Sequence, residues 1–87
     1  METKLQQFFD LLHENSVKEF RFYKSAQGME FISSLKNIAN QIQHEDWKRY
    51  ALNVVEALKK AIENEDAEQM NAIVLNVFQN QMTLIWS

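Results

Sequence analysis

Cysteine and proline are absent from this 87-residue chain, and glycine occurs once, at position 28. Without cysteine there is no disulfide framework and no thiolate site for a metal. That usage fits a reducing, cytoplasmic setting. Without proline, and with a single glycine, few residues interrupt a helix, so long helices are the expected elements. A glycine-rich phosphate cradle is excluded on the same count. No repeat or low-complexity linker divides the sequence, which reads as one small helical domain over residues 1–87.

Charge is missing from one end. Residues 69–87, QMNAIVLNVFQNQMTLIWS, carry no ionisable side chain, although 24% of the whole chain is charged. No Lys or Arg follows Lys60, and the last acids form a cluster: Glu63, Glu65, Asp66 and Glu68. An end stripped of charge is expected to be buried, against its own fold, a second copy or another partner. A bilayer span is not expected, because Gln69, Asn71, Asn76, Gln79, Asn80 and Gln81 would each need a hydrogen-bond partner there. The opening METKLQQFFDLLHENS does not read as a signal peptide, given Glu2, Asp10 and its short apolar stretch.

What is present is apolar, at 46% hydrophobic residues, with a net charge of -3. A chain this small buries a modest share of its surface, and oligomerisation is a common remedy. The acidic balance favours a basic protein partner over nucleic acid or an anionic membrane.

The apolar spacing predicts a short first helix over 3–13, with Leu5, Phe8, Phe9 and Leu12 on one face and Thr3 and Gln6 as a capping box. Residues 17–33 read two ways. A helix capped by Ser16 and Glu19 would end at Gly28. A β-hairpin is favoured, because Phe20 and Phe22, then Met29 and Phe31, alternate with polar neighbours, and Gly28 would close the loop Ser25–Gly28 at positive φ. A second helix follows over 33–44, capped by Ser33 or Ser34, and a third over 46–63, with Trp47, Tyr50, Ala51, Val54, Val55, Leu58, Ala61 and Ile62 on its apolar face. Leu52 falls off that stripe. The last helix starts near Asp66 with Gln69 as its capping partner, and its apolar arc exceeds half the circumference. Residues 82–86 could instead form a short strand. The expected class is predominantly α, or α+β if the hairpin forms, with an all-α bundle of four or five helices as the alternative.

No catalytic constellation emerges. His13 and His44 stand at predicted helix ends, and neither has a second histidine four residues on, so the His-Glu-x-x-His zinc pattern is missing. The serines lack a glycine elbow. No catalytic residue, metal ligand or cofactor is assigned. Lys18, Arg21 and Lys24 interleave with aromatics as nucleic-acid surfaces do. The expected function is non-catalytic protein binding, with an inhibitor or immunity protein as the type. The expected binding residues are Glu63, Glu65, Asp66, Glu68, Leu75, Phe78 and Trp86. One alternative is a homodimeric helical protein paired through its last helices, and another is a nucleic-acid-binding regulator.

Overall fold

A computed structural model of the chain describes residues 3–16 and 18–86, of which 84–86 are described as backbone alone. Among the described residues five helices follow one another: α1 (Thr3–Asn15), α2 (Phe20–Tyr23), α3 (Ala26–Asn40), α4 (Glu45–Glu63) and α5 (Ala67–Trp86). No strand occurs among the described residues. Helix α3 packs against α1 on one side and α4 on the other, α5 lies on α4, and α2 lies across α3. Helix α1 closes the arrangement by touching α5.

The core follows the helical periodicity of the sequence. Leu5, Phe8, Phe9 and Leu12 of α1 are buried, and Phe8 and Phe9 meet edge to face with ring centroids 6.0 Å apart. Ala51, Val54, Val55, Leu58 and Ala61 form the buried stripe of α4. Truncating a fully buried phenylalanine such as Phe8 to alanine costs about 3–5 kcal/mol, so these two rings do much to anchor α1. No charged or polar residue is buried among the described residues.

The β-hairpin expected over 17–33 does not form. Its place is taken by α2, which is one turn long, and by the first two turns of α3. The helical stripe of α3 extends back through Leu35, Ile32 and Phe31 to Gly28, all buried. The helix starts early because Ser25 caps it, its hydroxyl accepting from the Gly28 amide at 3.3 Å. Ser33 and Ser34, the expected caps, lie exposed in mid-helix instead. The aromatics that suggested alternating strands pack differently. Tyr23 stands T-shaped to Phe22 at 5.3 Å and tilted to Phe31 at 5.8 Å.

Gly28 has a different task from the expected one. It does not have positive φ. A Cβ there would overlap the carbonyl oxygen of Phe22 and the Cα of Tyr23. Glycine is needed because the α2 backbone crosses α3 at this point, a case of close approach and not of turn conformation.

Smaller differences have local causes. Thr3 is itself helical, and the Gln6 amide donates to Asp10 at 2.8 Å, so the two do not form a capping box. Leu52 is half-buried against the core and does not stand free. Residues 82–86 continue α5 as helix, so the alternative strand is not found. Asp66 does cap α5, accepting from the Gln69 amide at 3.0 Å.

Candidate functional site

Two surfaces bring expected binding residues together, and they are distinct. The first is the corner between α4 and α5. Helix α4 ends in a Schellman motif: the Asp66 amide donates to the Ala61 carbonyl at 2.9 Å and the Glu65 amide to that of Ile62 at 3.1 Å. This motif places one residue in the left-handed region, most often glycine. Here that residue is Glu65, at φ 55°. Its carboxylate pairs with the Lys24 ammonium, across from the α2–α3 junction. Glu63, Asp66 and Glu68 are exposed around it, so the acidic cluster of the sequence is one contiguous corner.

Beside this corner lies a hollow of about 400 Å³. Tyr23, Met29, Ile32 and Ile62 supply its apolar walls, and Lys24, Lys59, Glu63 and Glu65 its charged rim. Tyr23 and Ile32 are buried, whereas Met29 is 67% exposed. The Tyr23 hydroxyl donates to the Asn15 carbonyl, which ties the wall of the hollow to the end of α1. Burial pushes the Tyr23 hydroxyl pKa above its ordinary value of 10.0. The hollow opens to solvent, and its volume would admit one or two side chains.

The second surface is the outer face of α5. The broad apolar arc of this helix divides between two sides. Met70 and Val77 are buried and Ile73, Val74 and Phe78 half-buried, all facing the rest of the fold. Leu75 and Met82 stand outside, 62% and 60% exposed. Phe78 therefore sits deeper than Leu75, one turn away. Its ring stacks on His13 of α1 at 4.1 Å and 17°. The Trp86 side chain lies outside the described residues. On the flank towards α4, Asn80 donates to the Tyr50 hydroxyl at 2.8 Å and to Asn76 at 3.2 Å. Tyr50 in turn meets Trp47 edge to face at 5.4 Å.

The remaining candidates are engaged within the chain. Arg21 pairs with Glu19 at 2.9 Å, Lys24 pairs with Glu65, and Lys18 lies 5.5 Å from the Phe22 ring centre. The three cations singled out for nucleic acid thus each have a local contact. His13 is a stacking partner, and no group of three His, Cys, Asp or Glu residues suited to a metal occurs among the described residues. No helix among them is long and apolar enough to cross a membrane.

Sequence reasoning missed the hollow. Its walls come from α2, α3 and α4, and it depends on the Gly28 crossing, which has no signature beyond the glycine itself. The left-handed Glu65 was also unmarked. No protein-family model matches this chain, and no similar curated protein and no similar solved structure was found.

Proposed function

We propose that this chain is a small non-catalytic protein-binding protein that covers a surface of a basic partner, in the manner of an inhibitor or immunity protein. The observation that carries the reading is the acidic corner standing directly beside an apolar hollow. Acids alone would be an ordinary helix connection. The rim itself is balanced, Lys24 and Lys59 standing with Glu63 and Glu65, so the recess would seat a hydrophobic anchor while the neighbouring Glu63, Asp66 and Glu68 steer a positively charged surface towards it. Glu65 stands at a backbone position that favours glycine, and its carboxylate is held by Lys24 within the chain.

The roles divide by physics. The recess supplies residence time, because desolvated anchors dominate dissociation. The exposed carboxylates of Glu63, Asp66 and Glu68 supply association rate, which falls as salt screens them. Lys18, Arg21 and Lys24 are exposed with local contacts within the chain, and the net charge of -3 is what disfavours the nucleic-acid alternative.

The test begins with capture of a partner on the intact chain and continues with measured rates. Glu63→Gln, Asp66→Asn and Glu68→Gln together should slow association about tenfold at low salt and leave folding intact, since asparagine preserves the α5 cap. Ser33 also lines the hollow, so Ser33→Trp should block it and speed dissociation. A captured partner whose rates ignore both changes would refute the reading.

A further inference from the structure

We propose that the outer face of α5 is a self-association surface on which a second copy of this chain packs antiparallel about a two-fold axis. Residues Ala72, Leu75, Gln79 and Met82 follow one another at spacings of three, four and three, the spacing of a coiled-coil seam. The seam lies opposite the side of the helix that carries buried Met70 and Val77, so α5 has two usable faces and its own fold covers one. Leu75 and Met82 are among the three large apolar side chains most exposed on the described surface, and they stand seven residues apart, two turns along one line.

Charge decides the occupant. From Gln69 onward the helix presents no ionisable group, on a chain that is 24% charged as a whole. A charged partner would find no counter-charge on this face. A second copy presents the same uncharged face, so both sides desolvate without stranding an ion.

Orientation follows from the acids at the start of α5. Parallel pairing would set Glu68 of one copy beside Glu68 of the other, within about 10 Å. Antiparallel pairing about a point near residue 77 moves them roughly 27 Å apart at 1.5 Å per residue, beyond a Debye length of about 8 Å at physiological ionic strength. The antiparallel register also matches shapes. Small Ala72 lies opposite Met82 of the second copy, Leu75 opposite Gln79, and Asn71 opposite Thr83. The two helix dipoles oppose as well.

Size sets the strength. Twenty residues of helix measure about 30 Å, and a single face of that length offers roughly half of the ~800 Å² per partner found in standard interfaces. The pair should therefore form weakly and reversibly. This surface is separate from the acidic corner and its hollow, so either proposal can fail alone.

Sedimentation equilibrium on the intact chain, from about 10 µM to 1 mM, should show the mass rising from one chain towards two. Leu75→Lys with Met82→Lys should leave the fold unchanged by circular dichroism and weaken the association at least tenfold. The native absence of cysteine permits a clean orientation test. Ala72→Cys with Met82→Cys should cross-link readily on oxidation, whereas Ala72→Cys alone should not, because the antiparallel register holds the two copies of residue 72 about 15 Å apart along the axis. A monomer at 1 mM overturns the proposal, as does association unaffected by the two lysines. Efficient cross-linking through Ala72→Cys alone overturns the antiparallel arrangement.

Discussion

Replacing Gly28 by alanine sets two effects of opposite sign against each other, and the structure says which wins. In a helix interior alanine is favoured over glycine by about 1 kcal/mol, so a reading from propensity alone expects stabilisation. At this site the added methyl overlaps the Phe22 carbonyl oxygen and the Tyr23 Cα. Both are backbone atoms, so no rotamer change relieves the overlap, and α2 has to lift from α3. Overpacking costs typically 1–3 kcal/mol, and a backbone obstacle belongs at or above the upper end. The net expectation is a loss of about 2 kcal/mol. At roughly 4–8 °C per kcal/mol for a domain of this size, Tm should fall by about 8–16 °C. Thermal and urea unfolding followed by circular dichroism measure this directly. Ser34→Ala, exposed in the same helix, is the control and should be neutral or slightly stabilising. A Gly28→Ala chain as stable as the parent would refute the close crossing of α2 over α3.

Glu65→Gly should stabilise the chain by about 1 kcal/mol, because relief at φ 55° outweighs the loss of an exposed ion pair with Lys24. Urea midpoints compare the two, and a destabilised variant would show that the ion pair dominates. Tyr23 gives a pH dependence with a defined sign. Its folded-state pKa lies above the unfolded value of 10.0. The native state therefore holds the proton longer, and the stability contribution is complete below pH 10 and lost as pH climbs through the raised folded value. Tyr23→Phe should flatten the alkaline decline in unfolding free energy, with Tyr50 present in both chains as reference; equal slopes would count against burial of this hydroxyl. Phe78→Ala should cost about 1–3 kcal/mol, less than a fully buried phenylalanine, and a double-mutant cycle with His13→Ala should return a coupling of about 0.5–1.5 kcal/mol from their stacking. Zero coupling would place the ring elsewhere.

The legible elements were those with several turns of apolar repeat. Helix α4 was expected over 46–63 and spans 45–63, and α5 begins where Asp66 and Gln69 form its cap. The segment 17–33 was misread for a physical reason. A helix of one turn, such as α2, has no period to detect, and Phe20, Phe22 and Phe31 satisfy a two-residue alternation by accident of spacing. The Ser25 cap was available in the sequence, but Ser33 and Ser34 compete with it. Gly28 stands out in the sequence, but a turn is the constraint it suggests there, because a tertiary crossing leaves no mark on its neighbours. The same limit applied to the site. The acidic cluster was plain, but the hollow beside it depends on three helices meeting. On α5 the wheel gives angles and cannot say how far α4 and α1 cover the arc, so the difference between half-buried Phe78 and exposed Leu75 is visible only in the fold. At the end of α4, Asn64 is the natural candidate for a left-handed residue, yet the chain turns one position later, at Glu65.

The contact of Trp47 with Tyr50, and of Tyr50 with Asn80 on α5, gives the molecule a built-in optical gauge. The indole on α4 sits edge-on to a phenol whose hydroxyl is held from α5. Any event that levers the last helix away, from thermal fraying to a docking partner, frees that phenol and alters the emission of Trp47. With Trp86 replaced by phenylalanine, a single-tryptophan chain would report the seating of α5 in real time, without a label.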